Sequence, residues 1–519
     1  MTKRKKYHSI ILLFALMYLL LLFPTNLSAA TNCQRNYYIS TIGNDLNDGL
    51  SIAKAWRTLE KTSKVSLKGG DCIFLEGGKT FEGMVWFDST KDTSSATSKI
   101  TLSTFGISNS TISAVNRPGI YIHNIGNINI ENINIIANGA LNNTLNGISI
   151  TNDFLYGGKI IENYNINNVN INGFGNFGLD IGSYVRGNSI KNILISNSSF
   201  SRNGRAGLIT HGSELTSIQN IVIDKVTAFD NHGIPNKTYN TGDGIVLSHT
   251  YGGRIMNSRV YNNGQYCSAS NCSSGIMTYS ASKIVIEKNT VFENKTGGRN
   301  DGNGIDLDYD TSDSIVQYNY TYNNDGPGIL VYDFNSDYNN TRNIIRYNLS
   351  HNDGKKSNMP NIAFGGYVHD IRVYNNSILG SNPNSNSPFQ VWDWQGNNAK
   401  IENNIFYKNG TSGYIVNIWN SNTANLNFSN NNYYSPALGF RILWNNSYYN
   451  KLSDWQIKTG QDKYAVTIDP QWTSTGFKLL TTSPMYNKGK IVTSQILDYY
   501  GVAVPNNSLP EIGFSELIK

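Results

Sequence analysis

The stretch from Ile286 to Tyr332, IEKNTVFENKTGGRNDGNGIDLDYDTSDSIVQYNYTYNNDGPGILVY, contains two short patterns, each of which recurs within it. In the first, a glycine precedes a short apolar strand, as in GIDLD at Gly304 and GILVY at Gly328. In the second, a β-branched residue stands three positions before an asparagine, as in IEKN and VQYN, which end at Asn289 and Asn319. Both patterns continue beyond this stretch, so a repeat decides the fold.

The two patterns recur about every thirty residues. The glycine steps are 31, 29, 37, 31, 29 and 24 residues, at Gly147, Gly178, Gly207, Gly244, Gly275, Gly304 and Gly328. The asparagine steps are 30, 29, 28 and 28 residues, at Asn289, Asn319, Asn348, Asn376 and Asn404. The short strands alternate apolar and polar residues, which is typical of a sheet with one buried face. One such unit cannot bury its apolar side alone, whereas stacked units can, and stacked asparagines can donate to and accept from one another.

This pattern resembles the right-handed parallel β-helix of the pectate lyase-like superfamily. The opening segment YYISTIGNDLNDGLSIAKAWRTLEKTSKV, residues 37–65, is similar to the first strand, turn and short helix of such proteins. The resemblance implies an all-β, single-stranded right-handed parallel β-helix with an N-terminal capping helix. Ala53, Trp56 and Leu59 would form the buried side of that helix. The superfamily includes lyases, hydrolases, epimerases, tailspikes and adhesins, so the resemblance leaves the activity open.

The chain divides into four predicted segments. Residues 1–30 have the basic start, apolar run and small terminal residues of a signal peptide, and an uncleaved anchor is the alternative. Residues 31–110 are the N-terminal cap and first coils, residues 111–430 are the β-helix repeats, and residues 431–519 are the C-terminal coils and tail. We therefore expect a secreted or periplasmic protein with no membrane span after cleavage of the signal.

The net charge argues against one class of partner, and the cysteines indicate the compartment of the protein. The leader carries four of the basic residues and no acidic one, so the net charge of +6 falls to +2 in the mature chain and gives no case for nucleic-acid binding. Four cysteines suit an oxidising compartment. The most local of the three possible pairings joins Cys33 to Cys72 and Cys267 to Cys272, and a zinc site is the weaker alternative because paired CxxC motifs are missing.

Alternation along the strands predicts which side chains point outward. If the residue after each repeat glycine points into the core, the second and fourth residues after it point out. The second-position column is Ser149, Asp180, Ile209, Val246, Met277, Asp306 and Leu330. The fourth-position column is Thr151, Gly182, His211, Ser248, Tyr279, Asp308 and Tyr332. Asp306 and Asp308 are thus acids that the scaffold does not require.

Paired carboxyl groups predict glycosidic bond hydrolysis, in which one acid protonates the leaving oxygen and one carboxylate activates water. The expected catalytic residues are Asp306, Asp308, Asp243 and His211. The expected substrate-binding residues are Tyr279, Tyr332, His249, Arg254 and Asp310. We expect a polysaccharide as the partner, a monomer as the working form, no required cofactor and no metal ligands.

Two alternatives remain open from the sequence. Ca²⁺ is a possible cofactor if Asp306, Asp308 and Asp310 bind it, as in a lyase that eliminates across a uronic acid polymer. In that case Tyr279, His211 or Arg254 would supply the base or the neutralising group. The other alternative is a surface protein that binds glycans or acts as an adhesin without catalysis.

Overall fold

The computed structural model describes residues 33–356, 359–380, 387–492, 497–505 and 508–517. The signal peptide predicted for residues 1–30 lies outside the described residues. The chain winds into a right-handed parallel β-helix of about 13 turns, as the repeat predicts. No helix of the described ranges is long and apolar enough to cross a membrane.

Successive strands along the chain belong in turn to three parallel faces, so that a full turn of the β-helix contributes one strand to each face. The first face consists of Val85–Asp88, Ile120–His123, Ile148–Asn152, Phe177–Ser183, Ala206–Gly212, the first halves of Asp243–Met256 and Ser274–Glu287, Asn303–Leu307, Ile329–Asp333, Ile362–Gly366, Phe389–Trp392, Val416–Trp419 and Ile442–Trp444, with Ser447–Tyr449 antiparallel at its end. This face carries the outward columns predicted above.

The other two faces complete each coil. The second face consists of Arg35–Ile39, Asp71–Glu76, Ile100–Phe105, the first halves of Ile128–Ile136 and Ile160–Asn172, Ser189–Ser196, Ile218–Asp224, the second halves of Asp243–Met256 and Ser274–Glu287, Thr311–Ser312, Ile315–Gln317, Ile344–Arg346, Arg372–Tyr374, Ala399–Glu402 and Leu426–Ser429. The third face consists of Thr80–Glu82, Ser110–Ser113, the second halves of Ile128–Ile136 and Ile160–Asn172, Ser199–Ser201, Thr227–Phe229, Arg259–Tyr261, Thr290–Phe292, Tyr320–Tyr322, Leu349–His351, Ser377–Gly380, Ile405–Lys408 and Asn432–Tyr434.

The predicted capping helix is not confirmed. The segment contains a 3₁₀ turn at Ile52–Lys54, which buries no residue, and a single α-helical turn at Lys61–Lys64. Trp56 and Leu59 are buried in the core as expected, but Ala53 is exposed. Trp56 forms a parallel β-bridge with Ile39, so part of this segment adds to the sheet. The remaining helical elements are a 3₁₀ turn at Thr423–Asn425 and an α-helix at Leu452–Thr459.

A ladder of aliphatic side chains fills the interior behind the first face. Its members pair in register from one coil to the next and are at most 1% exposed: Ile148, Leu179, Leu208, Ile245, Ile276, Ile305, Ile329 and Ile362. These are the residues that directly follow the repeat glycines, together with Ile362 of the next coil. The assumption that they point inward is therefore confirmed. Because side chains alternate along a strand, the second residue after each glycine lies on the outer surface.

Asparagine ladders run through two corners of the coil, one of them at the predicted positions. Asn319 receives hydrogen bonds from the backbone and side-chain amides of Asn289, and it donates in turn to Oδ1 of Asn348 at 3.1 Å. The series continues through Asn376, Asn404 and Asn431 and ends on Asp462. A second ladder joins Asn203, Asn231, Asn263, Asn294 and Asn324 and ends on Asp353. Each ladder satisfies turn amides that are shielded from water.

The second ladder explains the repeat glycines. A Cβ on Gly304 would lie 2.6 Å from the carbonyl oxygen of Gly328 and 2.9 Å from Nδ2 of Asn324. A Cβ on Gly275 would lie 2.6 Å from Nδ2 of Asn294. The same close approach recurs in neighbouring coils. Glycine is therefore required because the next coil and a ladder asparagine occupy the space of a side chain.

Both predicted disulfide bonds are present. Cys33 pairs with Cys72, and Cys267 pairs with Cys272. The first bond ties the start of the described chain to the second strand of the second face. The second closes a small loop in the connecting segment that precedes the strand Ser274–Glu287.

We predict that Asn348→Ala lowers the free energy of unfolding by about 3 kcal/mol, because a buried polar group left without a partner costs about 1–3 kcal/mol. The change removes the acceptor of two Asn319 groups and the donor to the Val316 carbonyl oxygen. Urea unfolding measures the effect. Asn427→Ala is the matched control, because Asn427 is exposed on the outer side of a second-face strand. Equal losses in the two variants would contradict the role of the ladder.

Candidate active site

The second-position column of the first face forms the floor of the candidate site. Its seven residues pair in the predicted order, from Ser149 through Asp180 and Asp306 to Leu330. Three apolar residues lie between the two acids: Ile209, Val246 and Met277. They form an outer apolar cluster with Phe177 and Ala206. We call Ile209, Val246 and Met277 the apolar strip. It separates Asp180 from Asp306.

The fourth-position column is confirmed in part. Thr151, Gly182 and His211 pair in register across three coils, and Ser248 pairs with Tyr279. Ser248, however, is fully buried, and its hydroxyl donates to the carbonyl oxygen of Thr210 at 2.6 Å. The next residue, His249, has the left-handed φ of 48°, so the strand bends at this point.

Asp306 is a buried acid in the middle of this face, with 3% of its surface exposed. Its Oδ2 accepts from Ser274 Oγ at 3.2 Å and from Asn303 Nδ2 at 2.9 Å, whereas its Oδ1 accepts no hydrogen bond. Burial raises the pKa of Asp306 well above its usual value, and the negative charges of Asp308 and Asp301 raise it further. Burial therefore favours the neutral carboxylic acid form of Asp306 over the carboxylate.

Asp308 follows directly after the strand Asn303–Leu307 and is partly exposed. Its Oδ1 accepts from the backbone amide of Tyr309 at 2.9 Å. Burial raises the pKa of Asp308 to about 7. Asp306 and Asp308 thus differ in exposure, while burial raises the pKa of both carboxyl groups.

Two further acids join this centre. Asp243 Oδ1 accepts from the backbone amide of Ser274, whose hydroxyl donates to Asp306. Asp301 accepts from the side-chain amide of Asn303, which also donates to Asp306. Burial raises the pKa of Asp243 to about 7 and that of Asp301 to about 6. Ser274 therefore links Asp243 to Asp306, and Asn303 adds Asp301 to the group.

Aromatic side chains line the edge of the face beside Asp308. Tyr279 stacks on Tyr309 with ring centroids 5.1 Å apart. Tyr309 also contacts Phe334 at 5.4 Å and Tyr338 at 5.2 Å. Phe334 and Tyr338 are exposed, at 59% and 37%. These four rings, which we call the aromatic wall, offer apolar surface of the kind that packs against sugar rings.

The remaining predicted residues are placed as follows. Tyr332 is partly exposed in the coil after Asp308. Asp310 lies in the turn after the strand and accepts from the backbone amide of Asn339 at 3.3 Å. His249 lies against Tyr279, with ring centroids 6.3 Å apart. His211 is three coils from Asp308, about 14 Å by strand spacing.

Arg254 is not brought to the first face. It lies beyond the bend at His249, where the strand Asp243–Met256 has passed to the second face, and Nε donates to Glu287 Oε1 at 2.8 Å. Its place on the second face does not fit the substrate-binding role expected from the sequence.

Sequence reasoning missed a second centre at the other end of the apolar strip. Asp180 lies beside His211, with Oδ1 3.4 Å from Nε2 of the histidine. The Arg205 guanidinium lies over the rings of Phe177 and Tyr239. Asp180 was visible in the outward column, but Arg205 and Tyr239 lie outside the repeated strands, where the repeat gives no signal.

Connecting segments enclose the first face along the edge where its strands begin. They are residues 230–242, 262–273 and 293–302, and the Cys267–Cys272 bond braces the middle one. The aromatic wall follows the strands at the opposite edge, so the acids of the first face lie between these segments and the wall. Within the described ranges, no group of three or more His, Cys, Asp or Glu side chains is arranged to hold a metal ion.

Comparison with known protein families and solved structures agrees with the β-helix fold. Residues 265–378, which include Asp306 and Asp308, match the family model described as "Right handed beta helix region". No curated protein sequence matches the chain. Among solved structures, the A-module of the mannuronan C-5 epimerase AlgE4 from Azotobacter vinelandii is 15% identical with a TM-score of 0.50, over 67% of this chain and 88% of that one.

Two other solved structures are similar in fold. The GH136 lacto-N-biosidase from Eubacterium ramulus is 15% identical with a TM-score of 0.45, over 72% of this chain. The match spans 64% of the length of that enzyme. Pectate lyase Pel9A is 15% identical with a TM-score of 0.44, over 93% of this chain and 96% of that one. At these identities the likeness extends to the fold, and the activities named belong to those proteins.

We predict that the protein is less stable at pH 8 than at pH 5. The pKa values of Asp180, Asp243 and Asp308 are raised to about 7, against about 3.9 in an unfolded chain. Between these values the folded state holds protons that the unfolded state has released, so stability falls as the pH rises through this window. Urea unfolding at several pH values measures the slope.

Asp243→Asn isolates one of these groups, because asparagine keeps the acceptor oxygen without an ionisable carboxyl. The slope of stability against pH should become shallower in this variant. Asp337→Asn is the control, since Asp337 is exposed on a loop, and it should keep the slope of the parent. Parallel slopes in all three proteins would show that Asp243 titrates like an ordinary surface acid.

Proposed function

We propose that the protein is an exported polysaccharide-cleaving enzyme that hydrolyses glycosidic bonds with Asp306 and Asp308. The observation that carries this proposal is the pair itself. The two carboxyl groups lie two residues apart on one coil, they are acids that the repeat does not require, and burial raises the pKa of Asp308 to about 7 and that of Asp306 well above its usual value. Export is supported by the two disulfide bonds, which suit an oxidising compartment.

In the proposed mechanism, Asp306 is the acid and Asp308 is the base. The neutral Asp306 carboxyl donates its proton to the glycosidic oxygen as the bond from that oxygen to the anomeric carbon breaks. Ionised Asp308 takes a proton from the water whose oxygen forms the new bond to the anomeric carbon. The products are a free hydroxyl on one sugar and a new reducing end on the other.

Strand geometry favours inversion at the anomeric carbon. Residues two apart in extended backbone have Cα atoms about 6.6 Å apart, and Asp308 is the first residue after the strand that carries Asp306. That spacing suits the separation of about 6.5–9.5 Å that leaves room for water between two carboxyl groups, rather than the 5–5.5 Å of retaining enzymes. The aromatic wall would pack on the sugar bound beside Asp308. A protein of the same fold, the AlgE4 A-module, is a mannuronan C-5 epimerase, so this fold presents polysaccharides to catalytic groups in at least one other case.

We predict that the protein releases reducing ends from at least one member of a panel of neutral and acidic polysaccharides, without the ultraviolet absorbance of an unsaturated end. Asp306→Asn and Asp308→Asn should each lower the rate about 100-fold or more, because each removes one partner of the proton transfer. Asp337→Asn changes the same chemical group on an exposed loop and should keep the parent rate.

Each other outcome has a definite meaning. Full activity in both site variants would show that the site lies elsewhere. Unsaturated ends would replace hydrolysis by elimination, and loss of activity with a chelator would point to calcium. Binding without cleavage of any polysaccharide would make the protein a glycan-binding protein.

A further inference from the structure

Arg205 occupies a fixed position at the start of a first-face strand. Its backbone amide donates to the carbonyl oxygen of Asn176 at 2.9 Å, and its carbonyl oxygen accepts from Gly242 at 2.7 Å and Asp243 at 3.0 Å. The backbone is thus held by the coils on both sides. The positive charge of Arg205 lowers the pKa of Asp180 and of Asp243 against the larger effect of burial. Contacts place the guanidinium near Asp180, because the Phe177 ring beneath it also lies 5.2 Å from the ring of His211, whose Nε2 is 3.4 Å from Asp180 Oδ1.

The guanidinium is held by aromatic rings and has few polar partners. Its Cζ lies 4.7 Å from the centroid of Phe177 and 5.2 Å from that of Tyr239. Nη1 makes one long hydrogen bond, 3.4 Å, to Asn176 Oδ1, and the buried Nε donates to no group. Arg205 forms no ion pair with any described carboxylate. A guanidinium carries five N–H donors in a planar fork, so most of its binding capacity is unused.

Asp180 adds a buried carboxyl group at the same place. It is 8% exposed, Oδ2 accepts from Asn146 at 3.0 Å, Oδ1 lies 3.4 Å from His211 Nε2, and the Tyr184 hydroxyl hydrogen-bonds the same carboxyl group. Gly182 makes room here, because a Cβ at that position would lie 2.4 Å from the ring of Tyr184. Burial raises the pKa of Asp180 to about 7 and lowers the pKa of His211 to about 4. In weakly acidic solution, Asp180 is neutral and can donate a proton in a hydrogen bond, while His211 is uncharged.

We propose that Arg205 and Asp180 form a subsite that binds the carboxylate of a uronic acid residue, so that the substrate is an acidic polysaccharide. This inference rests on the proposed function and adds its substrate class. The planar fork of Arg205 matches a carboxylate bidentately, and a neutral Asp180 donates to the same group. The Phe177 and Tyr239 rings restrict the guanidinium to one orientation.

The position of the subsite fits a chain bound along the groove. Asp180 and Asp306 are separated by four strand pairings, through Ile209, Val246 and Met277, which is about 19 Å. The apolar strip between them can contact the intervening sugars. The subsite would thus hold a uronate several residues away from the bond that is cleaved.

Calorimetric titration of Asp308→Asn protein tests the inference, because this variant should bind oligosaccharides without cleaving them. The probes are oligosaccharides of galacturonate, glucuronate and mannuronate, and the same compounds after reduction of their carboxyl groups to alcohols. We expect at least one uronate to bind. Adding Arg205→Gln should weaken that binding about tenfold or more, while binding of the carboxyl-reduced compound should not change.

Two further variants keep the test decisive. Arg205→Lys keeps the charge without the fork, and it should also weaken uronate binding if Arg205→Gln fails to fold. Arg57→Gln removes an exposed arginine near the N-terminus and should leave binding unchanged. Uronate affinity that is unaffected by both Arg205 variants would overturn the inference, as would an equal loss for the uronate and its reduced form.

The inference and the proposed function fail in different ways. If no uronate binds but the parent protein hydrolyses a neutral polysaccharide, the subsite is wrong and hydrolysis stands. If uronates bind through Arg205 but nothing is cleaved, the subsite stands and hydrolysis is wrong.

Discussion

Hydrogen bonding between stacked asparagines is the constraint on which the structure depends. Each ladder residue satisfies backbone groups of its own coil and of the next, so the coils can stack without leaving buried amides unpaired. The second ladder also leaves no space for a side chain at the repeat glycines, as at Gly304 beside Asn324. Glycine and asparagine are therefore two parts of one steric and polar arrangement in the coils from Gly178 to Gly304, where the strands of the first face carry the candidate site.

Because inward and corner residues hold the coils together, the outward side chains of the first face are not required for the fold. The interior needs only aliphatic residues, as in the column that includes Ile276 and Ile305. Asp306 is buried without being part of that interior, and one of its oxygens has no hydrogen-bond partner. Burial of such a group costs stability, and it also raises the pKa. Burial of an acid that the scaffold does not require, with the loss of stability that it brings, is typical of a functional site.

The parallel β-helix and the outward position of Asp306 could be predicted from the sequence because both follow from strict repetition. One glycine position fixes the inward residue, and Asp306 follows by alternation. The rest depends on local departures from the repeat. The bend at His249 moves Arg254 to the second face, and the connecting segments that carry Asp301 and Tyr239 have no counterpart in the periodic pattern. Burial, which separates the two acids in pKa, also depends on how those segments fold over the strand.

The carboxyl titration of Asp306 and Asp308 tests the central claim most directly. Carbon-13 NMR of the aspartate carboxyl groups, assigned with the two single Asp→Asn variants, follows each acid across the pH range. The account predicts that Asp308 titrates at about pH 7 and that Asp306 stays protonated to a higher pH. Two carboxyl groups that both ionise near pH 4 would mean that neither is held ready to donate a proton, and would contradict the account.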